Sequence, residues 1–523
     1  MQSIDDFLKA SDELLNHLKS LVFLKDSERM TLPVECPFTG QKFADLPRAM
    51  PEDVDHAVSR ARASQDSWYL LGVTRREKII RKFHDLILKH QDRILDFCQL
   101  ETGKARRHAL EELLDTANVA RYYAYRAHRF LKPIRRKGAL PILTKTQEQF
   151  LPLGVVGFVI PWNYPINLFI TDAIPALLAG NTVVLKPDHQ VSYTALAIAD
   201  LLYQAGVPRD VAPVVTGIGA ELGPRLVEQV DFVMFTGSTQ TGKLIASQAS
   251  QRLIGYSLEL GGKNPMIVLP DAAVDAAIDG LIRGAFVGSG QVCVSIERVY
   301  VHSSIYESFI KRLEAQVRRL NLGSGFDYKI EMGSLGSKKQ LETIMAHIND
   351  AESKGAQVLV GGNRRPDLGP YFFEPTILLN VKPGMLPYGH ETFGPVVSVY
   401  RYDNVDEAVA QANNTSYGLN ASVWSRDAKR AMGVAKRIRS GSVNINECYN
   451  STWASVDAAV GGMKESGFGR RHGREGILKY TAKQTVSVQR VLPISGPKWL
   501  SRSTYAKVMT YALKLMKALP GMR

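Results

Sequence analysis

Cys293 is a candidate nucleophile in the stretch FVGSGQVCVSIER, which spans residues 286–298. A cysteine thiolate attacks carbonyl carbons and forms covalent intermediates. The glycines before Cys293 indicate that another backbone segment approaches closely at this position. Free cysteines are nevertheless among the most buried residues, and most of them are inert. The stretch by itself leaves Cys293 as either a nucleophile or a packing residue.

Two further side chains are of types that assist a nucleophile. Glu259, in SLELGGKNP, is flanked by apolar residues. A carboxylate in such surroundings holds a proton more readily and can act as a general base near neutral pH. Asn163, in PWNYP, offers an amide donor on a loop that leaves an apolar run. Each has an ordinary alternative, since Glu259 could cap or pair with a neighbour and Asn163 could be a turn residue.

The segment MFTGSTQTGKLIASQA predicts a strand, a glycine-rich turn and the start of a helix. Gly237, Ser238 and Gly242 could let backbone N–H groups and a hydroxyl approach a pyrophosphate at the helix N-terminus. A plain capped turn explains the same residues. Lys186, at the end of VVLKP, could contact a ligand ribose or simply extend to solvent.

An alternating α/β pattern must position these residues. Residues 54–130 have apolar positions at three- and four-residue steps, which predicts helices. The short apolar runs GVVGFVI, NTVVLKP, VAPVVTG and DFVMFTG then alternate with helical stretches, and a second alternating region follows from about 262 to 460. Alternation of this kind predicts parallel sheets that bind ligands beyond the C-terminal ends of their strands.

The composition excludes several classes of protein. No uninterrupted apolar run approaches the length of a membrane-spanning helix, and the acidic N-terminal segment 1–21 predicts an amphipathic helix rather than a signal peptide. We therefore expect a cytoplasmic protein. The four cysteines are widely spaced with no C-x-x-C pair, so we expect neither a disulfide framework nor a metal site.

The C-terminal region is strongly basic. The whole chain has a net charge of +14, and residues 476–523 contain nine Lys or Arg residues and no acidic residue. Residues 505–519 predict a basic amphipathic helix, which could lie on an anionic membrane surface or dock on its own protein or oligomer. The positive net charge would also be compatible with nucleic-acid binding. We expect none, because no recognition motif and no interleaved aromatic residues accompany it.

Seven motifs together resemble the aldehyde dehydrogenase superfamily, in the family's order: PWNYP, VVLKP, FTGSTQTG, LELGGKNP, GQVC, HETFGP and GGMKESGFGR. The resemblance covers residues 35 to 490. It implies an α/β fold with two Rossmann-like α/β domains and a bridging, oligomerising β-element. The implied parts are a NAD(P)-binding domain of 1–130 and 153–261, a catalytic domain of 262–460, oligomerisation strands at 131–152 and 481–491, and a basic tail of 492–523.

The resemblance also implies the roles of single residues. Cys293 would attack the aldehyde to give a thiohemiacetal and then a thioester. Asn163 and the Cys293 backbone N–H would hold the oxyanion, and Glu259 would activate the hydrolytic water. The implied cofactor-binding residues are Trp162, Lys186, His189, Gly237, Ser238, Gly242, Glu391 and Phe393. The implied assembly is a homodimer or homotetramer.

Departures from the family pattern bear on specificity. His189 stands where NAD-preferring members commonly have a glutamate, which favours NADP or use of both cofactors. The chain looks most like a bacterial branch commonly named succinate-semialdehyde dehydrogenases of the NADP type. Some enzymes for that substrate place an arginine where this chain has Val287, and Ser295 replaces a second cysteine. Succinate semialdehyde and a broader or aliphatic aldehyde therefore both remain open.

Two rival functions belong to the same superfamily. A coenzyme A-acylating enzyme would release the thioester to coenzyme A, but such enzymes often lack the base that Glu259 supplies. A non-catalytic scaffold is disfavoured because Asn163, Glu259 and Cys293 are all present.

Overall fold

The computed structural model describes residues 12–26, 29–138, 144–490 and 492–518. The described residues divide into two compact units. The larger unit comprises Met1–His128 and Pro152–Tyr480, and the smaller comprises Arg129–Leu151 and Thr481–Arg523. Residues 1–11 of the predicted N-terminal helix lie outside the described residues, and a helix covers Asp12–Lys19.

Helices precede the first large sheet, as the periodicity predicts. They are Pro51–Leu70, Val73–Lys89, Gln91–Thr102, Arg106–Ala124 and Ala127–Phe130. The first begins with a proline, and the Asp53 carboxylate accepts from the backbone N–H of Met50 at 2.7 Å, which caps its N-terminus. Gly103, with φ +73°, ends the third helix in the left-handed conformation that glycine adopts without strain.

A five-stranded sheet follows in the larger unit. Its strands lie in the order Gly467–Phe468, Gly255–Glu259, Phe232–Thr236, Val155–Ile160 and Thr182–Pro187. The last four run parallel, whereas the first is antiparallel to its neighbour. The flanking helices are Asn167–Ile170, Ala173–Leu178, Ser192–Ala205, Gly219–Gln229 and Thr239–Gln251. Every residue of the two strands Thr182–Pro187 and Phe232–Thr236 is buried, as continuous apolar runs in a covered parallel sheet should be.

The predicted strand VAPVVTG was wrong. It makes only an isolated bridge between Leu185 and Val214 at the sheet edge. Leu185 N donates to the carbonyl oxygen of Pro213 at 2.9 Å, and Val215 N donates to the Leu185 carbonyl oxygen at 3.0 Å. Pro213 has no N–H with which to continue the ladder toward Val183.

A seven-stranded sheet holds the second alternating region. Its order is Gln357–Val360, Thr376–Leu379, Val396–Tyr402, Ile296–His302, Asn264–Val268, Ser422–Trp424 and Asn444–Ile445. All neighbours are parallel except the first pair. Its helices are Val274–Phe286, Ser303–Val317, Lys338–Ser353, Leu386–Gly389, Val405–Asn413, Ala428–Ala435 and Asn450–Trp453. A further helix, Gly473–Leu478, packs against Ala173–Leu178 beside the five-stranded sheet. A separate hairpin pairs Thr31–Cys36 with Gln41–Pro47. The two α/β sheets confirm the predicted fold class.

The smaller unit contains a three-stranded sheet and the C-terminal helix. The strands lie in the order Thr481–Gln489, Thr144–Pro152 and Ile134–Arg136, and the last two are antiparallel. The hydroxyls of Thr146 and Ser487 lie 2.8 Å apart. The predicted tail helix covers Arg502–Ala518 and buries none of its residues, while residue 519 lies outside the described part. No described helix is both long and apolar enough to cross a bilayer.

Candidate active site

Cys293 follows a tight turn whose backbone conformation only small residues accept easily. The helix Val274–Phe286 ends, and Gly288, Ser289 and Gly290 then take φ values of +54°, +57° and +73°. A Cβ on Gly290 would overlap the carbonyl oxygen of Gly394. The predicted close backbone approach beside Cys293 is therefore confirmed, and it joins this turn to the loop that carries HETFGP.

Cys293 and Asn163 lie at the junction of two cavities, since both residues line both of them. The Asn163 amide Nδ2 donates to the carbonyl oxygen of Gln291 at 2.9 Å. An amide nitrogen carries two hydrogens, so one of them remains for a ligand. The carbonyl oxygen of Cys293 is held by Asn264 Nδ2 at 2.8 Å, which fixes the backbone under the thiol.

The first cavity, here called the apolar cavity, has a volume of about 390 Å³. Its apolar and aromatic lining residues are Leu114, Tyr164, Leu168, Val292, Val294, Tyr449, Trp453 and Ala454. Its polar lining residues are Glu111, Glu112, Asp115, Asn118, Asn163, Asn167, Cys293 and Asn450. Its size and walls suit a small organic molecule.

The second cavity, here called the glycine-rich cavity, has a volume of about 380 Å³. Its lining residues are Pro161, Trp162, Asn163, Thr236, Gly237, Ser238, Leu260, Gly261, Cys293, Ser337, Lys339, Gln340, Thr343, Glu391, Thr392 and Phe393. Ser238 caps the helix Thr239–Gln251 by accepting from Thr241 N at 3.2 Å. This cavity thus lies at the C-terminal ends of the parallel strands and at a helix N-terminus, as the strand pattern predicts.

Close packing keeps side chains out of this cavity. A Cβ on Gly237 would lie 2.5 Å from the Phe235 ring, and one on Gly261 would lie 2.5 Å from Glu391 Oε2. Gly242 does not line the cavity but packs against Leu260. A Cβ on Gly242 would lie 2.5 Å from the nearest side-chain atom of Leu260. A side chain at any of these three positions would therefore have to displace a neighbouring side chain.

Glu391 and Phe393 sit on one loop with a fixed conformation. Glu391 Oε1 accepts from Gly262 N at 2.8 Å, while burial, followed by the charge of Glu297, raises the pKa of Glu391 to about 8. Phe393 takes φ +54° and donates its N–H to Glu297 Oε1 at 3.0 Å. Glu297 is also bonded to the buried ammonium of Lys263. The Trp162 ring meets Phe393 edge-on, with centroids 5.9 Å apart.

Lys186 and His189 lie apart from the glycine-rich cavity. The Lys186 ammonium lies close to Gly219, the first residue of the helix Gly219–Gln229. A Cβ built on Gly219 would be 3.4 Å from the ammonium nitrogen. Burial lowers the pKa of Lys186. His189 is about half exposed, and its Nδ1 lies 3.3 Å from the Asp188 carboxylate.

Glu259 is buried at the end of its strand and lines neither cavity. Its Oε1 makes no hydrogen bond with a described residue. Burial raises the pKa of Glu259 to about 7, against the opposing positive charges of Arg471 and Lys479. Arg471 pairs with Asp172 at 2.7 Å. Glu259 is therefore a carboxylate that can gain or lose a proton near neutral pH.

The thiol of Cys293 is protonated in this environment. Burial raises the pKa of Cys293 to about 12, and the negative charges of Glu391 and Glu259 act in the same direction. Its own backbone N–H opposes this shift, which places that N–H near the sulfur. A base is therefore needed before this thiol can attack. Val287 and Ser295 are buried beside Cys293 and line neither cavity.

Sequence reasoning missed the residues that hold the Asn163 loop and the mouth of the apolar cavity. The Lys104 ammonium donates to the Asn163 carbonyl oxygen at 2.6 Å and pairs with Glu112. Glu111, Glu112 and Asp115 all lie on the helix Arg106–Ala124. The run LEELLD could have indicated these residues in the sequence. It places Glu111 and Asp115 one turn apart on a helix whose other positions follow an apolar pattern. Among the described residues, no three His, Cys, Asp or Glu side chains are placed to hold a metal ion.

Comparisons with known proteins agree with this geometry. The model of the aldehyde dehydrogenase family matches residues 23–486. A Mycolicibacterium smegmatis relative, provisionally named succinate-semialdehyde dehydrogenase [NADP(+)], is 47% identical over 96% of this chain and 98% of its own. Succinate-semialdehyde dehydrogenase [NADP(+)] 1 of Schizosaccharomyces pombe is 36% identical over 88% of this chain and 92% of its own.

Solved structures give the same result. An NADP-dependent enzyme from E. coli is 33% identical with a TM-score of 0.86, covering 91% of this chain and 99% of its own. Betaine aldehyde dehydrogenase from Staphylococcus aureus, in complex with NAD+, is 32% identical with a TM-score of 0.87, covering 95% of this chain and 100% of its own.

Proposed function

Because the chain belongs to the aldehyde dehydrogenase family, we propose that Cys293, Asn163 and Glu259 carry out its NAD(P)-dependent oxidation of an aldehyde to a carboxylic acid. One observation supports these roles above the others. Cys293 and Asn163 lie where the apolar cavity meets the glycine-rich cavity, so an aldehyde and a cofactor can reach the same thiol from two sides.

The first step is attack by sulfur. Because the thiol of Cys293 is protonated, Glu259 accepts its proton, and the thiolate then forms a bond to the aldehyde carbon. The carbonyl π electrons move to oxygen, and the second amide hydrogen of Asn163 and the backbone N–H of Cys293 stabilise the oxyanion. The charge of Glu259 acts on the Cys293 thiol, and its Oε1 makes no hydrogen bond with a described residue, so this oxygen is available to take the proton.

The glycine-rich cavity fits a dinucleotide, because it lies at strand ends and a helix N-terminus where glycines keep side chains away. Its side chains Trp162, Glu391 and Phe393 would hold the nicotinamide end, with Gly237 and Ser238 near the pyrophosphate. Lys186 and His189 would hold the adenine ribose. When bound, the cofactor accepts the hydride that the thiohemiacetal carbon releases.

Hydrolysis of the thioester completes the reaction. Glu259 first releases the thiol's proton to solvent and then takes a proton from water, while the water oxygen bonds to the thioester carbon and the sulfur of Cys293 leaves as thiolate. The product is a carboxylic acid. Asn163 again stabilises the oxyanion that forms on the way.

The assay that tests this proposal follows aldehyde-dependent formation of the reduced cofactor. We expect Cys293→Ser to lose turnover while still binding NADP+, as measured by quenching of tryptophan fluorescence. Turnover retained in Cys293→Ser would contradict the proposal. Product analysis with and without coenzyme A then shows whether water or coenzyme A accepts the acyl group.

We propose a domain organisation that follows from the same assignment. Residues 1–130 and 153–261 would bind the cofactor through the five-stranded sheet, and residues 262–460 would present Cys293 through the seven-stranded sheet. Strands at 131–152 and 481–491 would pair between subunits of a homodimer or homotetramer. The exposed strand Thr481–Gln489 is available for such pairing, and light scattering would give the number of subunits.

The cofactor is NADP or NAD, and we propose a preference for NADP. His189 supplies no negative charge to repel a 2′-phosphate, and the buried Lys186 ammonium is nearby. The names of the M. smegmatis and S. pombe relatives specify NADP(+), whereas the S. aureus enzyme was solved in complex with NAD+. Comparison of kcat/KM for the two cofactors tests the preference, which His189→Glu should shift toward NAD.

The basic tail has two candidate roles, which are contact with an anionic membrane surface and contact within the oligomer. The helix Arg502–Ala518 has exposed apolar side chains such as Val508 and Leu515, together with the lysines Lys507 and Lys514. Co-sedimentation with anionic vesicles, with and without residues 496–523, separates the two roles. In either case we propose a cytoplasmic location.

Succinate semialdehyde is the first substrate to assay, because it appears in the names of the relatives. A broader or aliphatic aldehyde is the second candidate, and the chemistry of the apolar cavity bears directly on this choice.

A further inference from the structure

We propose that the apolar cavity selects neutral aliphatic aldehydes and disfavours aldehydes that end in a carboxylate, such as succinate semialdehyde. The inference rests on the proposed role of Cys293, because it takes the apolar cavity as the aldehyde site. It differs from what the relatives' names suggest, and three features of the cavity support it.

The first feature is the sign of the charges on the cavity wall. The ionisable carboxyl groups that line it are those of Glu111, Glu112 and Asp115. Of the residues that the structure describes, no lysine, arginine or histidine lines it. A substrate carboxylate would therefore leave water without gaining a cation, which is costly in a site of low polarity.

The nearby cations are already engaged, and Arg471, whose charge acts on Asp115 and Cys293, pairs with Asp172. The Lys104 ammonium lies behind Tyr164, 3.8 Å from the centre of its ring, and pairs with Glu112. It also donates to the Asn163 carbonyl oxygen, so it is not free for a substrate. Arg121 donates to Asn118 Oδ1 at 2.6 Å on the exposed side of the helix, where water and salt screen its charge.

The second feature is the pair of acids one helical turn apart. Glu111 Oε2 accepts from the Tyr449 hydroxyl at 2.7 Å, and Asp115 Oδ2 accepts from Asn167 Nδ2 at 2.8 Å. The side chain of Trp453 also acts on the Asp115 carboxyl as a hydrogen-bond donor and lowers its pKa, against the larger effect of burial. When ionised, either acid repels a carboxylate that enters the cavity.

The third feature is the remainder of the wall. Leu168, Val292 and Val294 form an aliphatic surface, and Tyr164 and Trp453 add aromatic faces. Burial raises the pKa of Asp115 to about 7 and also raises the pKa of Glu111. The same desolvation disfavours a charge of either sign on a substrate, so the cavity suits an uncharged chain.

The test compares substrates that differ in charge but little in size. The full-length enzyme is assayed with succinate semialdehyde, its methyl ester and pentanal, each with NADP+ and with NAD+. We expect kcat/KM to be about 10-fold or more higher for the two neutral aldehydes, since one unpaired carboxylate is desolvated. An equal or higher kcat/KM for succinate semialdehyde than for its methyl ester would overturn the inference.

A variant tests the part assigned to Asp115. Asp115→Asn keeps an oxygen that can accept from Asn167 but removes the charge that Asp115 carries above its pKa of about 7. At a pH of about 8.5, the ratio of kcat/KM for succinate semialdehyde to kcat/KM for its methyl ester should therefore rise several-fold. The control is Asp66→Asn, on the exposed face of the helix Pro51–Leu70, which should change neither value. Equal effects of Asp115→Asn on both substrates would overturn its assignment.

The proposed function and the proposed substrate class would be contradicted by different results. Absence of turnover with every aldehyde and both cofactors would contradict the proposed function itself. Turnover that favours the charged aldehyde over its ester would leave the aldehyde oxidation intact and overturn only the substrate class.

Discussion

The side-chain ammonium of Lys104 donates a hydrogen bond to the main-chain carbonyl oxygen of Asn163, with the two atoms 2.6 Å apart. Lys104 also pairs with Glu112, whose other carboxylate oxygen accepts from Ile166 N at 2.9 Å. The proposed oxyanion donor is thus held by a buried ion pair on both sides of its loop. A displaced catalytic group loses rate steeply, so this pair should matter for kcat.

We predict that Lys104→Met lowers kcat by about 10- to 100-fold because the Asn163 loop loses its anchor. It should also lower stability by about 3–5 kcal/mol, because Glu112 is left as an unpaired buried charge. The double variant Lys104→Met, Glu112→Gln removes that charge, so it should regain stability in urea unfolding without regaining kcat. Recovery of kcat together with stability would show that Lys104 acts only on folding.

Asn163→Ala should lower kcat by about 10²- to 10³-fold, which is the usual effect of losing one oxyanion donor. Binding of cofactor should change little, as measured by titration of tryptophan fluorescence. Asn118→Ala is the matched control, because Asn118 lines the apolar cavity but is not proposed to touch the reacting atoms. A similar loss in both variants would contradict the role of Asn163.

Activity should rise with pH through about 7, following the ionisation of Glu259. Its pKa is raised to about 7, so Glu259 is protonated below that pH and cannot accept a proton. We expect the rising limb of the pH profile of kcat/KM to disappear in Glu259→Gln, together with most of the activity. Glu352→Gln, at an exposed position, should keep the limb. A limb that survives in Glu259→Gln would assign it to another group.

The reactivity of Cys293 should depend on Glu391 only at high pH. Glu391 has a pKa of about 8, so its charge, which raises the pKa of Cys293, is present only above that pH. Alkylation by iodoacetamide should therefore be faster in Glu391→Gln than in wild type at pH 9 and similar at pH 6.5. Peptide mass spectrometry reads the modification at Cys293, and the buried Cys448 serves as an internal control. Equal rates at pH 9 would contradict the electrostatic link.

Gly290→Ala should destabilise the enzyme more than a positive φ alone explains. Both Gly290 and Gly72 have positive φ, but a Cβ on Gly290 meets the Gly394 carbonyl whereas one on Gly72 meets nothing within 4 Å. Gly72→Ala should cost about 1–3 kcal/mol, and Gly290→Ala should cost more and also lower kcat. Thermal unfolding of both variants, with the assay, measures the difference. Equal losses of stability in the two variants would mean that the Gly290 turn and the Gly394 loop can move apart to accept the added methyl group.

Much of the fold could be predicted because strand and helix periods are local signals. The runs ending at Ile160, Lys186 and Thr236 all became parallel strands with buried residues. VAPVVTG failed because Pro213 has no N–H with which to extend the ladder, a property of one residue within the run that the apolar pattern does not show.

The candidate site was predicted unevenly for a similar reason. The motif residues Cys293 and Asn163 were found in sequence, and the geometry brings them together. Glu111 and Asp115 were not, because their helix meets the Cys293 turn only through tertiary packing across a long stretch of chain. The raised pKa of Cys293 was also out of reach, since it depends on burial and on charges from other segments.

The ion pair of Lys104 with Glu112 and the ion pair of Lys263 with Glu297 each support a loop at the site, and both are buried. Losing one partner of such a pair is far more damaging than losing both. In evolutionary terms, these positions should therefore change in concert. Descendants of this sequence would keep each pair or replace it as a unit, and a library built from single substitutions would record every one of the four positions as intolerant.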